Sequence, residues 1–192
     1  MTFINPVEVY KIDNKYAALK DLLDKKAFER RQVVLSSGRT SHYYFDGRKV
    51  SLTPEGAYLI GEIICDMIKN DRVDAVGGLT MGADPIVAAV GVAAYHRNMD
   101  ISLFIVRKEA KKHGTMRLIE GPPLSAGQRV VVVDDVITTG GSVVKAVEAV
   151  REAGCQVVKA VVLVDRQEGG AAVLGEMNVH VAPVFTAADF GL

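Results

Sequence analysis

From about residue 55 onward the chain alternates two kinds of apolar pattern. Short runs are apolar at nearly every position: DAVGGL at 74–79, ISLFIV at 101–106, RVVVVDD at 129–135 and VVKAVVLVDR at 157–166. Between them the apolar residues recur every three or four positions. The runs predict strands buried on both faces and the intervening segments predict helices. One helix opens at Thr53-Pro54-Glu55, where a capping hydroxyl precedes a proline at the first helical position, and stops near Asn70. It carries Leu59, Ile60, Ile63, Ile64, Met67 and Ile68. A second covers ADPIVAAVGVAAY, 83–95. A third covers GSVVKAVEAVREAG, 141–154, with Val143, Val147 and Val150 on one face and Gly154 as its cap.

The first 50 residues read differently. Asn14 to about Lys26 predicts a helix capped by Asn14, with Tyr16, Leu19, Leu22 and Leu23 as its stripe. QVVLSSGRTSHYYFDGRKV predicts two antiparallel strands around a turn. The expected architecture is one α/β domain over 1–192. It has a Rossmann-like parallel sheet flanked by helices at about 55–175. A small N-terminal hood of about 1–50, joined by the C-terminal tail, caps it.

Composition narrows the partners. Of 192 residues, 23 are Lys or Arg and 23 are Asp or Glu, so no whole-surface attraction to nucleic acid or membrane is expected. No apolar stretch approaches the ~20 residues of a membrane helix. The segment MTFINPVEVYKIDNK lacks a positive start followed by an apolar run, so no secretory signal is expected there. Cys65 and Cys155, far apart and in no metal-like spacing, read as buried thiols of a cytoplasmic protein.

Candidate chemistry concentrates in VVVVDDVITTGGS, Val130 to Ser142. Four valines explain a buried strand, but not two adjacent aspartates at its end. Ligands of such sheets sit beyond the carboxyl ends of the strands. Thr138, Thr139, Gly140, Gly141 and Ser142 then lead into a helix, whose first N–H groups and dipole suit a phosphate. The GxxxxGK[ST] spacing is missing, so this is not a Walker loop. Acids beside a phosphate cradle suit a ribose 5-phosphate: Asp134 and Asp135 accept from sugar hydroxyls while the loop holds the phosphate. A solvated turn is the plainer alternative.

The whole order strongly resembles the phosphoribosyl-pyrophosphate (PRPP) signature of the type I phosphoribosyltransferases. The resemblance implies their core fold with a hood that selects the base. It implies displacement of pyrophosphate from C1 of the ribose by a nitrogen nucleophile, with Mg²⁺ carried mainly by PRPP rather than by protein ligands. It also carries PRPP contacts onto Asp134, Asp135, Val136, Ile137 and Thr138 to Ser142, and onto Thr80 and Met81 in GGLTMGAD.

Three further stretches are similar to orotate phosphoribosyltransferases. RKEAKKHGTMR, Arg107 to Arg117, carries six basic groups counting His113, against one Glu109. It is either a solvated loop or a lid bringing cations to a pyrophosphate leaving group. No aromatic residues interleave as nucleic-acid stacking would need. By resemblance, Lys111 and His113 are catalytic, Arg107 and Lys108 contact pyrophosphate, and the 107–117 loop acts in the neighbouring subunit of a homodimer. VDRQEGG, Val164 to Gly170, places Arg166 at a strand mouth, where the family pairs an arginine with the orotate carboxylate. LSSGRTSHYYFD, Leu35 to Asp46, matches the hood, with Tyr43 and Tyr44 as aromatic cover for the pyrimidine. The same resemblance implies that Thr138 also orients orotate.

The resemblance spans roughly 33 to 170. Ser36 and Met81 stand where many orotate enzymes carry lysine. The expected activity is transfer of phosphoribose from PRPP to orotate, giving orotidine 5′-monophosphate and pyrophosphate in pyrimidine synthesis. The alternatives are another acceptor base, or a PRPP sensor without turnover.

Overall fold

The computed structural model describes residues 14–34, 40–109 and 118–192. In chain order its elements are α1 (Lys15–Lys26), β1 (Phe28–Glu29), β2 (Val33–Val34), β3 (Thr40–Ser41), β4 (Tyr44–Phe45), α2 (Arg48–Ser51), α3 (Pro54–Ile68) and β5 (Ala75–Leu79). They continue as α4 (Asp84–His96), β6 (Ser102–Val106), β7 (Ile119–Glu120), β8 (Arg129–Ile137), α5 (Gly141–Glu152), β9 (Gln156–Asp165), α6 (Gly170–Glu176) and β10 (Val181–Thr186). A 3₁₀ turn, Ala187–Phe190, follows.

Six strands form the central sheet in the order β10-β9-β8-β5-β6-β7. All neighbours run parallel except β7, which returns antiparallel to β6. The valine run of β8 shows why both faces must be covered. Val131 and Val133 enter the core shared with α1, α3 and α4, while Val130 and Val132 enter the core under α5. Side chains alternate across a strand, so an unbroken apolar run has no solvent face.

Local signals set the helix ends. The Asn14 side chain accepts from Ala17 N at 3.0 Å to start α1, and Thr53 Oγ1 accepts from Gly56 N at 3.2 Å to start α3. Leu19, Leu22 and Leu23 are buried as the stripe predicts. Tyr16 stays 42% exposed, edge-on to Phe185. Gly154, at φ +80°, closes α5 in the left-handed region where glycine costs least. A half-buried network ties the first helices together: Arg97 of the α4 C-terminus donates to Glu62 and to Asp66 on α3, and Lys15 of α1 donates to Asp66.

Three features depart from the sequence reading. Val33–Val34 and Thr40–Ser41 do pair antiparallel, but Tyr44–Phe45 pairs with Phe28–Glu29, a strand the pattern did not show. Residues 48–51 are helical, not extended. The C-terminal tail does not simply join the hood: β10 is the edge strand of the central sheet, parallel to β9. Only after it does Phe190 stack on Phe28, with ring centres 4.5 Å apart. Among the described residues no helix is long and apolar enough to cross a membrane.

Candidate active site

β8 runs two residues past the aspartates, to Ile137, and the chain then turns through Thr138, Thr139 and Gly140 into α5. Gly140 has φ +89°, a conformation that side chains resist. It stands where a capping side chain would, and no side chain caps α5. The orphan N–H groups of a helix's first turn therefore border this loop. Gly141 and Thr139 are exposed, and Thr138 and Ser142 half-buried, so the cradle opens outward.

The loop after β9 braces the cradle from behind. Arg166 N donates to Ile137 O at 3.0 Å, and Gly170 N donates to Thr138 O at 2.9 Å. The gap is so close that a Cβ on Gly170 would stand 2.8 Å from Thr138 O and 2.9 Å from Gly140 N.

Asp134 is 5% exposed. Its Oδ2 accepts from Ser142 Oγ at 2.6 Å and its Oδ1 from Asp135 N at 3.0 Å. Burial pushes its carboxyl up, to about 7, and the charge of Asp135 adds to the rise; the Ser142 hydroxyl opposes it. Burial raises Asp135 as well. The hydrogen bond with Asp134 works against that rise, Asp46 adds to it, and the Arg48 charge opposes it in turn. A buried and a half-buried carboxylate side by side, both held above their usual range, disfavour each other's charged form. They become useful when hydroxyl donors or cations arrive.

Gly82, in the loop from β5 to α4, lies against the pair: a Cβ there would sit 2.6 Å from Asp135 Oδ1 and 2.8 Å from Asp134 Oδ1. In the same loop Thr80 Oγ1 donates to Asp84 Oδ2 at 2.8 Å, so its hydroxyl hydrogen is spent inside the protein. The Thr80–Met81 peptide is cis, and Met81 is 59% exposed.

Arg166 and Tyr43, 123 positions apart, come together. The guanidinium lies 4.2 Å from the ring centre, and Arg166 Nε donates to Glu168 Oε1 at 2.8 Å. Burial raises the Tyr43 hydroxyl, and the Arg166 charge opposes that rise. Tyr44 is directed elsewhere: it pairs with Glu29 across the strands, with its ring 6.0 Å from the Arg31 guanidinium. At the base of the basic loop, Arg107 N donates to Leu118 O at 2.8 Å, and its side chain reaches Glu120 at 3.4 Å. Lys108 is exposed. Lys111 and His113, and Ser36 in the hood, lie outside the described residues.

The sequence reading did not single out Asp46, Gly47, Arg48 or Glu168. Glu168 sits within the quoted VDRQEGG and was legible as a carboxylate two residues from an arginine. Nothing in the local sequence says that Asp46 to Arg48 meet the end of a strand 90 residues later.

An acid pair at a parallel strand's carboxyl end, followed by an uncapped helix start, is an arrangement that suits a sugar phosphate. Residues 53–181 match the family described as Phosphoribosyl transferase domain. The chain is 48% identical over 171 residues, 89% of its length, to the orotate phosphoribosyltransferase of Nostoc sp., covering 82% of that protein. The crystal structure of Mycobacterium tuberculosis orotate phosphoribosyltransferase in complex with Fe(III) dicitrate superposes with TM-score 0.82 at 39% identity, over 93% of this chain and 99% of that one. The same enzyme in complex with PRPP gives TM-score 0.77 at 36% identity, with the same coverage. The chain belongs to the phosphoribosyltransferases, and within them to the orotate phosphoribosyltransferase family.

Proposed function

We infer that this chain transfers the 5-phosphoribosyl group of PRPP to orotate, releasing pyrophosphate and forming orotidine 5′-monophosphate for pyrimidine synthesis. One observation carries the reading: the Asp134–Asp135 pair, sealed by Gly82 on one side, runs directly into the uncapped start of α5. As the orotate nitrogen bonds to C1 and the C1–oxygen bond to pyrophosphate breaks, positive charge grows on the ribose and negative charge on the leaving group. The two carboxylates take the ribose hydroxyls and steady the first charge. Thr138 to Ser142 hold the 5-phosphate. Arg107 and Lys108, with Lys111 and His113 of the same loop, steady the second charge. Positioning and charge complementarity supply the rate, without a covalent enzyme intermediate.

Arg166 orients orotate through its carboxylate, and Tyr43, already on that guanidinium, covers the ring. Mg²⁺ enters with PRPP. PRPP, rather than the protein, supplies most of its ligands, and the oxygen-rich strand end is compatible with a hard ion carried in that way. When bound, the ion neutralises charge on the pyrophosphate.

The chain works as a homodimer in the cytoplasm. An exposed apolar stripe on α4, comprising Ala88, Val92 and Tyr95, supports a second copy there, and Tyr95 is 82% exposed. The buried free thiols of Cys65 and Cys155 support a reducing compartment. The test is orotate absorbance with PRPP and Mg²⁺. Orotate is consumed only when PRPP is present. PRPP binding without orotate loss would move the acceptor to another base, or the chain to a sensor.

A further inference from the structure

Gly47 precedes α2 with φ −60° and ψ −23°, a helical conformation that any residue adopts. No backbone requirement explains a glycine there, and it supplies no capping side chain at a position where Ser, Asp or Asn would be favoured. Space does explain it. A Cβ on Gly47 would stand 2.9 Å from Asp135 Cβ, 3.1 Å from Asp135 Oδ2 and 3.2 Å from the Phe45 ring. The nearest of these atoms is fixed to the β8 backbone, so a side-chain rotation cannot relieve the contact. Gly82 closes on the same carboxylate from the other side. Asp135 therefore occupies a slot walled by two glycines from separate segments.

The residues beside Gly47 are charged and locked. Arg48 Nε donates to Asp46 Oδ1 at 2.8 Å and Arg48 Nη2 to Asp46 Oδ2 at 3.0 Å, a two-point fork. Asp46 is mostly buried, and the Arg48 side chain is 41% exposed. The charged groups that act most on Asp135 are Asp134 on its own strand and Asp46 and Arg48 from the hood.

We propose that Asp46-Gly47-Arg48 is a positioning device for Asp135: Gly47 sets where its carboxylate stands, and the Asp46–Arg48 fork fixes the segment that carries Gly47 and places a cation one residue from that contact. The device couples the hood segment that carries Tyr43 to the acid that grips the ribose. This rests on the reading of Asp135 as a ribose ligand.

The experiment measures kcat, both KM values and thermal stability for Gly47→Ala, Arg48→Gln, Arg48→Lys and Asp135→Asn. Gly47→Ala raises KM for PRPP about tenfold, the scale of one lost charge-assisted hydrogen bond. Arg48→Gln moves the acid limb of kcat/KM for PRPP to higher pH, because Asp135 loses a nearby cation. Arg48→Lys restores much of that position. A folded Gly47→Ala with the parent KM for PRPP overturns the proposal. If that variant does not fold, an unmoved acid limb in Arg48→Gln overturns it instead. Asp135→Asn separates the two readings. A normal KM for PRPP there removes Asp135 from ribose binding altogether. An impaired Asp135→Asn beside normal Gly47→Ala and Arg48→Gln overturns only the positioning role.

Discussion

The guanidinium of Arg166 lies 4.2 Å from the centre of the Tyr43 ring, joining the hood to the exit of β9. Tyr43 also packs on Phe28, 5.8 Å between ring centres, so the ring is held from behind as well. A cation over an aromatic face is worth about 0.5–2 kcal/mol, more as water is excluded. An arginine fixed this way has already lost most of its rotamers when an anionic base arrives.

The two tyrosines should therefore separate. Tyr43→Ala raises KM for orotate roughly 3- to 30-fold, the equivalent of that interaction, and leaves KM for PRPP near the parent value. Tyr44→Ala has a smaller effect, since its ring faces Arg31. Steady-state kinetics with each substrate varied in turn checks both. A larger orotate defect in Tyr44→Ala would reverse the assignment.

The acid pair gives a pH-dependent stability of definite sign. Asp134 in the fold titrates near 7, well above the ~3.9 of an unfolded aspartate. The folded state thus binds its proton more tightly. That contribution is full below about pH 4 and is lost as pH rises through 7. Asp134→Asn has no charge to bury and keeps an oxygen for Ser142. Its Tm should exceed the parent's at pH 8 by about 2 °C or more, with the gap closing toward pH 4. Turnover should fall sharply in the same variant. Thermal melts at the two pH values decide it, and a lower Tm at pH 8 would show that Asp134 is comfortably ionised in the fold.

Much of this was legible along the chain. The β8 valines, the capped start of α3 and the α5 stripe follow from patterns within a dozen residues, and the structure keeps them. The acid pair and glycine loop were legible because their chemistry is contiguous. The 3-residue approach of Asp46 to Arg48 was not, because it depends on how two distant segments pack. The edge strand β10 was missed for a related reason: VHVAPVFT carries a proline and weak apolar continuity, as an edge position tolerates. The different surroundings of the two tyrosines also needed the fold: Tyr43, just before β4, meets Arg166, whereas Tyr44, within β4, lies opposite Glu29.

Gly170 tests the bracing of the phosphate cradle. Its Cβ would meet Thr138 O and Gly140 N, both backbone atoms that cannot swing aside. Gly170→Ala should therefore displace the loop of residues 138–140. KM for PRPP rises, by about tenfold or more if one phosphate hydrogen bond is lost. Chemical-shift changes on the amides of Gly140 to Ser142 would accompany it. Parent-like PRPP kinetics with unmoved amides would show that the loop after β9 is a spectator.

The basic loop poses the last question, in cis or in trans. Lys111 belongs to a segment that leaves β6 at Val106 and returns at β7, on the sheet edge opposite β10. The exposed α4 stripe lies in the crossover between β5 and β6, so a second copy seated there would stand beside that edge. Arg107 N donates to Leu118 O, so the segment between them leaves and returns at one place; its contour of about 36–40 Å reaches roughly 20 Å at most from the sheet edge, within range of a partner seated beside that edge. If Lys111 acts on the leaving pyrophosphate as proposed, Lys111→Ala alone should cut turnover strongly, because such a cation acts mainly in the transition state. Asp135→Asn alone should do the same through the ribose. In a heterodimer of the two variants a trans-acting loop leaves one site with both an intact lysine and an intact aspartate. Mixed, unfolded and refolded together, the inactive chains should then regain up to about half of the parent activity per heterodimer, since one of its two sites is whole. Heterodimers verified by mass and still inactive would show that each chain closes its own site.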